Sequence, residues 1–145
     1  MKIRVEYQED TENEIIIRYN QMNDEILHIL SFFKTQSKKI CVYKTKDNLI
    51  VLEIQKVLYI EALDEKTFVY TVNDVYQTSL TLYEIEARYS GLGYCRISKS
   101  MIVNIHQIHA LKNIGESRIE VTMNNQEKVL ISRHYAPIFR EIIGI

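Results

Sequence analysis

Two short tips in this sequence carry basic and hydroxyl groups at useful spacing. The segment Arg96-Ile-Ser-Lys-Ser-Met-Ile-Val-Asn104 enters as a strand, turns through Ser98-Lys99-Ser100, and leaves as Met101-Ile102-Val103. Three short donors on one loop suit phosphate oxygens, and Lys99 is long enough to reach a base edge. The segment Ile131-Ser-Arg-His-Tyr135 ends a strand and opens a helix, with Ser132 as candidate N-cap and Arg133 projecting. The bland alternative is a pair of solvated turns with a helix cap. On residue chemistry alone that alternative is favoured.

Other chemistry is thin. There is no G-x-S-x-G around a serine and no glycine-rich phosphate loop. Cys95 could serve as a nucleophile, but it lies within a strand pattern and reads as a small core residue. His106-x-x-His109 resembles a metal pair, yet strand residues three apart face opposite ways, so the two are expected to be solvated or near a ligand and to hold no metal. Glu61, Asp64 and Glu65 read as a polar turn, and Asn104 as an amide that ties its own loop's backbone. Neither an enzyme nor a cofactor is expected.

The scaffold beneath these tips is bounded by composition. The chain has 145 residues, of which 46% are hydrophobic and 26% charged. That suits one domain with a small attachment and excludes wholesale disorder. No apolar run approaches the roughly 18 residues of a membrane span. The start, MKIRVEYQED, turns acidic at once, so no secretion signal is expected and the protein reads as cytoplasmic. Cys41 and Cys95 are expected as reduced thiols packed like small apolar residues. The net charge of −1 conceals a polarity: residues 1–38 and 39–92 are each −2, whereas residues 93–145 are +3 and hold three of the four histidines. That is a mild bias toward an anionic partner.

Periodicity predicts the elements. Lys2–Tyr7 alternates as a half-buried strand, and Ile15–Tyr19 is a second, β-branched one. Met22, Ile26, Ile29, Leu30 and Phe33 then recur at helical spacing, capped by Asn20 or Asn23. From Lys39 onward short strands dominate: 40–43, 49–52, 57–60, 68–72, 75–78, 94–97, 101–103, 118–123 and 128–131. Asn73-Asp74 is expected as a two-residue hairpin turn. Thr81 to Glu84 has capping-box spacing for a short helix stopped at Gly91, and Pro137 suits the first turn of a last helix. Strands every 8–12 residues indicate a mainly β, antiparallel domain within an α+β chain.

The quoted motifs resemble the signature of the LytTR DNA-binding domain: an aromatic, then R-[IV]-x-[RK]-S-x-[IL]-V-N, then a hairpin, then [IV]-S-R-x-Y. Tyr59-Ile60-Glu61-Ala62 is similar to that family's early strand. The match covers about 39–145, and the paired motifs in this order are far more specific than either alone. The resemblance implies an elongated antiparallel β domain with short helices that sets loops into successive major grooves, preceded by a strand-strand-helix extension over 1–38 used for docking or dimerisation. It implies Lys99 between Ser98 and Ser100 as the base-reading residue, and Arg133 directed at a base or phosphate. Arg96, the first residue of that motif, and Ser98 and Ser100 are counted with them as DNA-binding residues. Thr67, beside Lys66, fills a place where some members have histidine; Arg118 matches a basic position near the backbone; His134 stands where a second arginine is common. It also implies a bacterial transcription regulator acting on double-stranded promoter repeats as a homodimer, and a small membrane protein that restrains it. Competing readings are a protein-interaction module on the same fold and a small hydrolase using Cys95.

Overall fold

The computed structural model describes residues 1–36 and 38–145, with the side chains of all of these except residues 33–36. Among the described residues there are ten antiparallel strands and three α-helices, and most follow from local sequence. Helix α1 (Asp24–Gln36) starts where Asn23 Oδ1 accepts the Ile26 N–H at 3.0 Å, and Asp24 and Glu25 lie at its positive end. Strands β1 (Lys39–Tyr43), β2 (Leu49–Glu53), β3 (Tyr59–Leu63), β4 (Lys66–Tyr70) and β5 (Val75–Thr78) follow. Helix α2 (Leu82–Arg88) opens on a full capping box made by Thr81 and Glu84. Then come β6 (Tyr94–Ser98), β7 (Met101–Asn104), β8 (Ile108–Asn113), β9 (Ile119–Met123), β10 (Lys128–Ile131) and helix α3 (Ala136–Ile143), with Pro137 in its first turn.

The strands form a seven-stranded sheet in the order β2-β1-β5-β4-β3-β7-β6 and a three-stranded sheet in the order β10-β9-β8. The centre of the large sheet is covered on both faces. Tyr59, Cys95, Ile97 and Val103 face a core shared with Ile119, Val121, Met123, Ile131 and Phe139 of the small sheet and α3. Ile60, Val69 and Ile102 face a second core closed by Leu82, Ile85 and Tyr89 of α2. Double coverage explains why Leu58-Tyr59-Ile60 and Met101-Ile102-Val103 read as unbroken apolar runs.

Several expectations change. Residues 1–23 contain no strand: Lys2–Tyr7 and Ile15–Tyr19 have the right alternation but form no strand pair among the described residues. An isolated two-stranded ribbon is marginal in water, so alternation without a neighbour is not enough. Of the expected helical stripe, Ile26 is buried, Met22 precedes the helix and is exposed, and the Phe33 side chain lies outside the described residues. The third strand of the domain begins at Tyr59, because Ile54–Lys56 forms a one-turn 3-10 helix just before it. The left-handed two-residue turn falls at Asp64 (φ 51°) and Glu65 (φ 63°) between β3 and β4, not at Asn73-Asp74. Between β4 and β5 the Thr71 N–H donates to the Asp74 carbonyl at 2.9 Å, which centres that turn on Val72-Asn73. Cys41 is exposed on β1 and does not pack as core, whereas Cys95 is buried.

Candidate nucleic-acid interface

Strand register brings four loop tips to one end of the molecule. Leu63 pairs with Lys66 across the β3–β4 turn, and Glu61 pairs with Met101, so the β6–β7 tip lies beside that turn. The Ala62 N–H donates to the Ser100 carbonyl at 2.8 Å, which closes the contact. The Ser132 N–H donates to the Ile97 carbonyl at 2.9 Å, which seats the β10–α3 loop next to the end of β6. Ile131 pairs with Ile119, so the 114–118 tip between β8 and β9 reaches the same end.

The β6–β7 tip is rigidly built. Arg96 is three-quarters covered: its side chain is 24% exposed. Its guanidinium pairs with Glu86 of α2, donates from Nε to the Ser98 carbonyl at 2.8 Å, and also donates to the Lys99 carbonyl. Ser98 Oγ accepts the Ser100 N–H at 3.2 Å and lies 3.4 Å from Ser100 Oγ. Backbone carbonyls and one hydroxyl are thereby held inside the loop, and the Lys99 side chain is left exposed at its apex. Beneath it, Asn104 is fully buried. Its amide donates to the Val57 carbonyl at 2.9 Å and its oxygen accepts the His106 N–H at 3.0 Å. The expectation that Asn104 ties backbone is met.

The second tip differs from expectation in its cap. The Ser132 carbonyl, not its hydroxyl, accepts the N–H groups of Tyr135 and Ala136, each at 3.0 Å, and Tyr135 is the residue that caps α3. Arg133 and His134 are exposed, and the His134 ring stands edge-on to Tyr135 at 4.9 Å. Arg133 is not bare: its guanidinium lies 2.9 Å from Glu116 Oε2, and Arg118 approaches the same oxygen at 3.8 Å. The Arg118 Nε is buried without a hydrogen-bond partner.

On the third tip the placement of Thr67 changes. It lies within β4 and is buried, so the loop it was expected to occupy presents Asp64, Glu65 and Lys66 instead. A threonine at that register position points inward because Lys66, its neighbour, points out. His106 also departs from expectation. It is half-buried under α1, with the His28 ring edge-on at 4.8 Å and Ser31 Oγ 3.3 Å from its Nε2. That contact joins the helical part of the N-terminal segment to the body. Burial, then the neighbouring His28, holds the His106 pKa below its usual value. Among the described residues no His, Cys, Asp or Glu cluster could hold a metal ion.

Sequence reasoning passed over Glu116. Its tip, Gly115-Glu116-Ser117, has three consecutive residues at positive φ (88°, 51° and 61°). The signal was the turn-forming run Asn113-Ile-Gly-Glu-Ser117. It was legible only once β8, exposed along nearly its whole length, was recognised as a strand.

Known proteins agree with this geometry. The model of the LytTr DNA-binding domain matches residues 47–144. A solved LytTr DNA-binding domain from Bacillus cereus superposes with a TM-score of 0.70 at 32% identity, covering 75% of this chain and all of that one. The sensory transduction protein LytT of Bacillus anthracis is 27% identical over 100 residues, 69% of this chain and 41% of LytT. This chain therefore spans under half the length of that relative. An uncharacterised HTH-type transcriptional regulator of Staphylococcus aureus is 26% identical over 137 residues, 94% of this chain and 92% of that protein. With the mainly antiparallel β fold, the two motif tips and the family match over most of its length, the chain belongs to the LytTr DNA-binding domain family.

Proposed function

We propose that this chain is a bacterial, sequence-specific transcription regulator that inserts the tips at one end of its β domain into the major groove of promoter DNA. The observation that carries the reading is the locked β6–β7 tip, where Arg96 and Ser98 hold the backbone and leave Lys99 exposed. A lysine or arginine presented this way can pair with guanine O6 and N7. Arg133 is the second reader. Lys66, Arg118, His134 and the Ser100 hydroxyl contact phosphates, which set register without carrying sequence. Arg96 and Ser98 act on the DNA through the loop they hold. Thr67, buried beside the β3–β4 turn, supports the tip, and Lys66 takes the contact assigned to it.

In this reading residues 39–145 bind DNA and residues 1–38 serve association. Two copies on adjacent half-sites compensate for a net charge of only −1, since linked binding raises apparent affinity without new contacts. The protein works in the cytoplasm, has no enzymatic activity, and is restrained by a small membrane protein. Fluorescence anisotropy of the full chain with DNA from upstream of its own gene, against a scrambled duplex at equal salt, tests the core of this proposal. The native site should bind at least about a thousand-fold tighter, the lower range for specific regulators. Equal binding of both duplexes overturns it.

A further inference from the structure

We propose that residues 2–8 pair antiparallel with the same residues of a second copy of this chain, on a two-fold axis through Val5. This deepens the two-copy reading above.

The segment has a strand's pattern and no strand partner among the described residues. Ile3, Val5 and Tyr7 are 87%, 91% and 89% exposed. They share one face by period-two alternation, and Lys2, Arg4, Glu6 and Gln8 share the other. Arg4 and Glu6 already lie on one side, 3.6 Å apart. A row of large apolar side chains on an unpaired, extended segment is an association surface.

The sequence also says which occupant fits. In an antiparallel pair centred on Val5, Arg4 faces Glu6 of the partner subunit, Ile3 faces Tyr7 of the partner subunit, and Lys2 faces Gln8 of the partner subunit. Each of these pairings occurs twice by symmetry, with Val5 facing its own copy on the axis, so opposite charges meet at Arg4–Glu6, aromatic and β-branched side chains meet at Ile3–Tyr7, and no like charges face each other. Neighbouring in-phase registers fail. Centring on Arg4 sets two arginines face to face, centring on Glu6 sets two glutamates face to face, and centring on Ile3 sets Lys2 against Arg4 of the partner subunit. Out-of-phase registers put the apolar row of one strand on the charged face of the other. Self-complementarity in one register is what a two-fold interface requires and what docking on an unrelated surface does not. Behind the pair, the bend at Gln8–Thr11, where Thr11 Oγ1 donates to the Gln8 carbonyl at 3.3 Å, turns the chain toward Ile15, Ile16 and Tyr19, all exposed. Those residues can extend the shared sheet to four strands.

Sedimentation of the full-length chain tests this without DNA, so its failure leaves the DNA-binding reading standing. In a Cys41→Ser background, wild type should dimerise. Arg4→Glu and Glu6→Arg should each weaken self-association by about tenfold or more, because both facing pairs become like-charged. An equimolar mixture of the two variants should form a heterodimer as tight as the native dimer. On oxidation, Val5→Cys should give a disulfide-linked dimer and Ile3→Cys should not. A wild type that stays monomeric at every loading, charge variants that self-associate like wild type, or equal cross-linking at both cysteine positions overturns the proposal.

Discussion

The Arg133 guanidinium, on the β10–α3 loop, sits 2.9 Å from Glu116, a carboxylate on the β8–β9 hairpin tip, and Arg118 leans on the same oxygen from 3.8 Å. One acidic side chain thus occupies the position between two cationic groups where a phosphate would bring equivalent oxygens. If Arg133 and Arg118 contact DNA as proposed, binding displaces it. Arg133 and Glu116 are 67% and 69% exposed, so their pairing is worth only about 0–1 kcal/mol.

Glu116→Gln should therefore tighten DNA binding modestly, by about two- to five-fold near 50 mM salt, with the difference shrinking as salt rises. Anisotropy titrations at several salt concentrations measure it. Weaker binding by the variant would mean that Glu116 orients Arg133 for DNA instead of competing for it.

Lys99→Ala and Arg133→Ala should each cost about 1–3 kcal/mol of specific binding and relax preference at one base position. Neither side chain fills core, so Tm should hardly move. Arg96→Ala tests the loop's support. It removes two donors to the tip's carbonyls and the Glu86 pair, so binding to the native site should fall while Tm also drops. Native affinity in Arg96→Ala would show that the tip holds itself.

Asn104→Ala should destabilise the fold by about 2–4 kcal/mol, measured by urea unfolding. It strips partners from the Val57 carbonyl and the His106 N–H at a site with no solvent access. Asn104→Asp should be no better, because a carboxylate cannot donate to Val57. A loss under about 0.5 kcal/mol, the range of ordinary surface changes, would refute this structural role.

The cysteines should react at different rates. Burial pushes the Cys95 thiol up to about 11, leaving about one part in a thousand as thiolate at pH 8, and the side chain is shielded as well. Cys41 is exposed. Mass spectrometry after brief alkylation should find one label on the native protein, at Cys41, and two after unfolding. Rapid labelling of native Cys95 would contradict its packing.

Docking of α1 should weaken in acid. His106 faces His28, Ser31 and Phe32 of α1, Gly93 of the turn before β6 lies against its ring, and Asn104 holds its backbone, with no carboxylate among these groups. Its folded pKa is lowered from 6.5, so the unfolded chain takes up the proton first as pH falls. The contribution to stability is complete above about pH 6.5 and is lost as pH drops through the folded value. Hydrogen exchange of α1 amides at pH 7.5 and 5.5 should show faster opening at the lower pH, and His106→Phe should flatten the difference.

Much of the scaffold was legible because it is written locally. The Thr81–Glu84 capping box, Pro137 at the start of α3, and alternation in Ile119–Met123 each involve residues within one turn or one strand, and all three appear where expected. The misses share a cause. β8 buries almost nothing, so its residues carry no alternation to read. Lys2–Tyr7 has the alternation but lacks a neighbouring strand among the described residues. Thr67 was placed by resemblance and Cys41 by residue type, whereas their burial follows from which face of β4 and β1 meets the core.

By itself, then, the sequence determined the motif tips, the β-rich architecture and the family, since each rests on residue types at fixed short spacing. Only the tertiary structure decided what those tips confront. Register across β3, β7, β6, β10 and β9 gathers loops from residues 64 to 135 at one end. It also turns Arg96 inward to hold its loop, brings Glu116 onto Arg133, and closes α1 over His106. Pairing between distant strands depends on every element packed between them, and no window of sequence contains that information.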